Sequence, residues 1–277
     1  MFVATAPVTQ RRFFMITINQ EQCIGCGACI KDCPGNALTL TEGKASSIRD
    51  CIHCGHCVAI CPVKAVSIPE YDMEDVEEYE KETFSVSPTH LLHAIKFRRS
   101  IRNFTQEPLS RETLTHILNA GRYTATAKNM QDCRFIVVQE QLEELKALVW
   151  QELPSILEKL EAENSPYFRP FRYFYKLYQR DSSVNQFFFN CTAFLVIASS
   201  HPLDGGLAAA NIENMAVAEG AGVLYSGYLQ NLIIQSPVLQ KWLGIEEKQI
   251  ACCMLLGYPN VTYKRTAPRK KADILWK

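Results

Sequence analysis

Hydrophobic and polar positions divide the chain into two regimes with an acidic stretch between them. In residues 15–69 the apolar runs are only a few residues long: MITI (15–18), ALTL (37–40) and AVSI (65–68). Such runs predict small strands, the first over Met15–Ile18, and Ala28–Cys33 predicts a short helix. ALTL and AVSI stand at the same distance after a Cys-Pro pair, so the region reads as an internal duplication. From Ser87 onward the pattern changes to helices alternating with short apolar strands. Ser87 and Pro88 supply an N-cap and an N1 proline for a first helix. LSRETLTHILNAGRY (109–123) carries Leu114, Ile117 and Leu118 on one helical face. LEELKALVWQELPSILEKL (142–160) is helical with an expected break at Pro154, and the small-residue stretch 205–222 predicts a closely packed helix. RFIVVQ (134–139), TAFLVIAS (192–199) and IACCMLLGYP (250–259) predict buried strands. The whole reads as α+β: a small domain over 15–69, a linker over 70–86, and a larger sheet-and-helix domain over 87–277. Residues 1–14 read as an N-terminal extension.

Charge excludes some partners. Lys+Arg and Asp+Glu both number 29 in 277 residues, so nothing in the balance favours nucleic acid or an anionic membrane. The longest apolar run, 187–198, is well short of the ~20 residues a spanning helix needs. The first residues lack the h-region and cleavage site of a signal peptide. Glu70–Glu82 holds eight carboxylates in thirteen residues and reads as a solvated linker or exposed helix. A docking strip for a basic electron donor is the sharper alternative.

The twelve cysteines change the picture most. Eight of them form two Cys-x2-Cys-x2-Cys-x3-Cys-Pro runs, CIGCGACIKDCP and CIHCGHCVAICP, within residues 23–62. Thiolate is the soft ligand that iron in a sulfide cluster prefers. Three close cysteines hold one [4Fe–4S] cube, and in the two-cluster arrangement the fourth ligates the other cube. This assigns Cys23, Cys26, Cys29 and Cys61 to one cluster and Cys51, Cys54, Cys57 and Cys33 to its twin. Structural zinc uses two pairs rather than a doubled run of four, and a disulfide framework suits a short secreted chain. His53 and His56 need not be ligands, since no thiolate position is vacant. The segment resembles bacterial two-cluster ferredoxins. Cys133, Cys191, Cys252 and Cys253 lie in apolar stretches, which fits a reducing compartment, the cytoplasm.

RRSIRNF (98–104) puts three arginines and a serine within five residues, a set that matches the oxygens of an anion. TATAKNMQDCRF (124–135), AGVLYSG (221–227) and RTAPRKK (265–271) follow it. Together these motifs resemble the FMN-dependent nitroreductase family, in the branch with an N-terminal ferredoxin domain, over residues 15–277. The resemblance implies a homodimeric nitroreductase-like sandwich that binds FMN. It places Arg98, Arg99 and Ser100 at the phosphate and Arg102 near the N1/O2 edge of the ring, as stabiliser of the reduced flavin. Asn129 and Gln131 would reach the flavin across the dimer, with Thr126 offering a hydroxyl. Tyr225, Ser226 and Gly227 would approach N5, and Arg269 and Lys271 would return to the phosphate. Ala125-Thr126, Asp132-Cys133 and Ser226 depart from the family's frequent residues, which bears on substrate choice more than on flavin binding.

The implied activity is a flavin oxidoreductase that passes electrons from the clusters to FMN and then to a small planar acceptor: a nitroaromatic, quinone or enone. The donor would be a ferredoxin or NAD(P)H, and no Gly-x-Gly-x-x-Gly fingerprint marks a separate nicotinamide domain. Two alternatives stand beside it: a non-catalytic electron carrier or redox sensor, and a reductive dehalogenase or flavin-modifying enzyme. The aromatic run 167–178, with Phe187–Phe189 beyond, reads as core or dimer packing, or else as a lid over the flavin.

Overall fold

The computed structural model describes residues 16–245 and 248–277. Chain contacts divide it into two compact units. One runs up to Ser85 and takes in Lys128–Met130; the other comprises Val86–Ala127 and Gln131–Lys277.

The first unit contains β1 (Thr17–Ile18), α1 (Ala28–Lys31), β2 (Leu38–Thr41), β3 (Lys44–Ser47), α2 (His56–Ala59) and β4 (Val66–Ser67). β1 pairs antiparallel with β4, and β2 with β3. The duplicated halves therefore exchange strands: each half's first strand pairs with the other half's last. Met15, expected to open the first strand, lies with residues 1–14 outside the described residues. Gly27 and Gly55, both left-handed, stand at the N-caps of α1 and α2. A shell of Ile16, Leu38, Ala45, Val66 and Ile68 is nearly all the apolar core here, and three of the cluster cysteines belong to it. The acidic stretch counts with this unit and is largely exposed. It forms a 3-10 turn, Met73–Asp75, capped by the Asp72 carboxylate, then α3 (Lys81–Phe84).

The second unit begins with α4 (Pro88–Phe97), where the Ser87 hydroxyl accepts from the His90 N–H and Pro88 sits in the first turn. Then come α5 (Arg111–Arg122), β5 (Arg134–Val138), α6 (Leu142–Ala162), α7 (Phe168–Arg180), β6 (Ala193–Ser199), α8 (Pro202–Ala218), β7 (Gly222–Tyr225), α9 (Gly227–Gln235), α10 (Pro237–Leu243) and β8 (Gln249–Gly257). The four strands form one antiparallel sheet in the order β5-β6-β8-β7. β6 is buried along its whole length, as an unbroken apolar run must be when both sheet faces are covered.

Alternation along the strands separates two cores. Phe194, Val196, Leu224 and Leu255 face α6, α7, α9 and α10, while Leu195, Ile197, Val223 and Met254 face α5 and α8. Leu114 and Ile117 bury the predicted face of α5, each contributing roughly 1.5–3 kcal/mol. Gly121 of α5 lies so near Ile212 of α8 that a Cβ there would come 2.7 Å from the Ile212 Cδ1, so the small residues let these helices close. The break expected at Pro154 does not occur: α6 is continuous from Leu142 to Ala162. A missing N–H inside a helix costs about 3 kcal/mol. Leu145, Val149, Leu153 and Leu160, all at 0 % exposure, outweigh it.

Candidate functional site

Within the first unit, Cys23, Cys26, Cys29 and Cys61 line one small cavity together with Gly25, Gly27 and Ala45. Gly25 is left-handed at φ 68, and a Cβ there would collide with the Gly43 carbonyl at the tip of the β2–β3 turn. Burial pushes the Cys29 thiol up, and Cys26, Cys23 and Cys61 add to it, which shows these sulfurs as close neighbours. The second set behaves alike. Burial raises the Cys51 thiol, with Cys54 and Cys33 contributing, and Cys57 is pushed up to about 11 by burial, then by Cys51 and Cys54. The structure thus groups each fourth cysteine with the other run's three.

Backbone N–H groups already point at the sulfurs. Ala45 donates to Cys23 Sγ (3.4 Å), Ala37 to Cys33 (3.3 Å), His53 to Cys51 (3.3 Å) and Ala65 to Cys61 (3.2 Å). Such donors suit thiolates held in an iron–sulfur cube and tune its potential. The donor set fits two [4Fe–4S] clusters.

The second unit holds a different cavity, of about 240 Å³, lined by Arg102, Tyr167, Gln186, Phe187, Phe189 and the segment Leu224–Tyr228. Two independent stretches of sequence, 98–104 and 221–227, meet here because Ser100 bridges Val223 in parallel and the Ile101 N–H bonds to the Val223 carbonyl (3.0 Å). Ser226 caps α9, its hydroxyl accepting from the Leu229 N–H, which fixes the turn at Tyr225–Gly227. One cation, an aromatic wall and a fixed backbone turn make a site for a flat anionic cofactor.

The other expected residues make contacts within the protein. Arg98 Nη1 donates to Glu213 Oε1 at 2.9 Å. Arg99 turns onto the carbonyls of Lys96, Phe97, Arg98 and Arg265. The Thr126 hydroxyl accepts from the Gln131 N–H (3.0 Å). Asn129 belongs to the first unit, where its amide donates to the His53 (2.8 Å) and Ile52 (3.3 Å) carbonyls. Lys128, Asn129 and Gln131 all have positive φ, a strained segment of the kind found at functional sites. Arg269 and Lys271 are exposed.

Sequence reasoning missed Glu213, and its signal was a lone carboxylate on the apolar face of α8 beside Ala209, Ile212 and Ala216. Burial raises its pKa, opposed by Arg98. The Tyr225 phenol is raised as well, by burial and then by Glu213, and its hydroxyl donates to the Ala209 carbonyl (3.0 Å). Arg98→Ala should therefore cost about 3 kcal/mol at neutral pH, since it strands a buried carboxylate. The sign of the pH dependence follows from the raised pKa. Protonation relieves the stranded charge, so the loss should shrink as pH falls through the Glu213 pKa. Thermal melts at neutral and mildly acidic pH check this, and a loss that does not change with pH would count against the pair.

Comparison with known proteins supports the two-part organisation of the chain. No curated protein matches the chain. Residues 15–62 match the model of the 4Fe-4S dicluster domain. Among solved structures, a nitroreductase with bound FMN from Bacteroides fragilis has a TM-score of 0.55 at 18% identity, over 68% of this chain and 98% of that one. Another, also with bound FMN, from Desulfitobacterium hafniense has a TM-score of 0.53 at 23% identity, over 67% and 97%. A BluB-like flavoprotein from Clostridium difficile has a TM-score of 0.50 at 16% identity, over 68% and 96%. At these identities the likeness establishes the fold. The model of the nitroreductase family matches residues 95–258, more than half the sequence, and the chain belongs to that family.

Proposed function

We propose that this chain is an FMN-dependent oxidoreductase that takes electrons through two [4Fe–4S] clusters and reduces a small electron-poor acceptor such as a nitroaromatic, quinone or enone. The observation that carries the reading is the cavity where Arg102 meets the Tyr225–Gly227 turn, in a chain that also holds two complete cysteine sets. The bound FMN of the two solved nitroreductases supports the same cofactor here. FMN supplies the exchange between single electrons and a hydride equivalent.

The chain's own residues prepare the site for that chemistry. Arg102 sets a permanent positive charge at the cavity, where it favours an anionic reduced ring. Tyr167, Phe189 and Tyr228 give a wall against which a planar acceptor can stack. Arg98, Arg99 and Ser100 remain proposed phosphate contacts, and the Arg98–Glu213 pair also stands close to Tyr225. Thr126, Asn129, Gln131, Arg269 and Lys271 remain proposed contributors in a homodimer. Leu91, Leu92, Ile95 and Phe97 of α4 are exposed apolar side chains, which suits coverage by a second copy. Among the described residues no helix is long and apolar enough to cross a membrane. Cys191 and Cys252, both raised to about 12 by burial, are inert thiols that suit a reducing cytoplasm. The donor we propose is a ferredoxin or NAD(P)H.

Arg102→Ala tests the flavin site. It should weaken FMN binding by about 1.5–3 kcal/mol, roughly ten- to a hundredfold in Kd, as loss of a charge-assisted contact does. Fluorescence titration of FMN into the protein measures it, and sedimentation of the loaded protein checks the dimer. Wild-type FMN affinity in the variant, or a loaded monomer, would reject the corresponding part of the reading.

A further inference from the structure

The duplication in the first unit allows each cysteine set to serve as a control for the other. A shift of 28 residues carries Cys23, Cys26, Cys29 and Cys33 onto Cys51, Cys54, Cys57 and Cys61, and Ala37 onto Ala65. Those matched positions make matched bonds: Ala37 to Cys33 Sγ at 3.3 Å and Ala65 to Cys61 Sγ at 3.2 Å. The same shift carries Ile16 onto Lys44 and Thr17 onto Ala45, and here the correspondence fails.

Ile16 is a buried hydrocarbon side chain, 7 % exposed. Lys44 instead directs its ammonium at the Cys23 carbonyl oxygen, and Ala45 beside it donates its N–H to Cys23 Sγ at 3.4 Å. The β2–β3 turn lies close against this loop, where a Cβ on Gly25 would meet the Gly43 carbonyl. Burial, neighbouring thiols and backbone N–H groups shift the Cys51 and Cys57 thiols of the other set, and the position that matches Lys44 is the apolar Ile16. Cys26 is also exposed, whereas its counterpart Cys54 is half-buried.

We propose that Lys44 makes the two clusters unequal, raising the reduction potential of the one held by Cys23, Cys26, Cys29 and Cys61 above that of its twin. Reduction adds one electron to a cube already negative from four thiolates and makes or breaks no bond. A cation fixed beside a ligand of the cube favours the added charge, as does exposure to water, while apolar burial opposes it. Ile16 offers the twin no such compensation. The first electron to enter the pair therefore rests on the Cys23 set, and transfer from the Cys51 set to the Cys23 set is downhill. This inference rests on the two sets being cluster ligands, which iron content tests separately.

The experiment is an anaerobic potentiometric titration with dithionite, followed by EPR, on the full-length protein, its Lys44→Gln variant and its Lys44→Arg variant. Iron analysis comes first: wild-type protein that holds no iron fails the cluster reading itself, whatever Lys44 does. With both clusters in place, the wild type should give two separate midpoints. Lys44→Gln should lower the higher midpoint alone, and Lys44→Arg, which keeps the charge, should leave it near its wild-type value. Coincident midpoints in the wild type would overturn the proposal without recourse to any variant. A Lys44→Gln titration in which the higher midpoint stays in place, or in which both midpoints fall equally, would overturn it too.

Discussion

Cys57→Ala should halve the iron of the protein, from about eight atoms per chain to about four, or leave a three-iron remnant of the damaged cube. Cys57 is buried, and burial pushes its thiol up to about 11. Truncating it leaves that cube one thiolate short. Cys23, Cys26, Cys29 and Cys61 line a separate cavity, and their cube should persist. The second unit has its own two cores and none of the eight cysteines, so FMN should stay bound. Turnover driven by a reduced ferredoxin should then collapse, while turnover with chemically reduced flavin continues. If both assays fall together with the melting temperature, the first unit is structural. Full ferredoxin-driven turnover with the EPR signal of that cluster missing would reject the relay.

Much of this architecture was legible because it depends on local pattern. The cysteine runs are contiguous in sequence, and the cross-assignment of Cys33 and Cys61 follows from reach along the chain. β5, β6 and β8 were visible as apolar runs, and Ser87 with Pro88 marked a helix start, since these signals need no knowledge of what lies opposite. The failures have one cause. Pro154 reads as a helix breaker until three fully buried leucines and a valine on α6 are known to outweigh one lost hydrogen bond. The partner of Arg98, Glu213, lies 115 residues away and could not be read from the 98–104 stretch. β7 is only four residues long and was absorbed into the motif around Ser226. Its pairing with β8 and its bridge to Ser100 are nonlocal facts. The bond from Asn129 to the His53 carbonyl is nonlocal in the same way.

The aromatic run resolves by position, and Phe171→Ala is the variant that shows it. Phe171 is at 0 % exposure, with its ring 5.2 Å from Phe187 and 5.8 Å from both Tyr167 and Tyr228. Phe174 closes the group against Phe187 at 5.3 Å and Tyr228 at 5.4 Å. Edge-to-face packing of this kind cannot refill around a missing ring, so truncation should cost about 3–5 kcal/mol. Tyr173 lies on the opposite face of α7 at 59 % exposure, and Tyr173→Ala should change stability by less than about 0.5 kcal/mol. Phe171 is therefore core, and Phe168, Phe174, Tyr175 and Tyr178 are half-buried side chains packed against that core. Tyr167 and Tyr228 belong to both descriptions, because each packs on Phe171 and also lines the cavity. Phe171→Ala should for that reason weaken FMN binding as well as stability, although Phe171 does not line the cavity, and Tyr173→Ala should alter neither. Denaturant unfolding and FMN titration on the two variants separate the outcomes. A stable Phe171→Ala protein with unchanged FMN affinity would mean that the aromatic wall stands without its support, and that the run is a mobile cover after all.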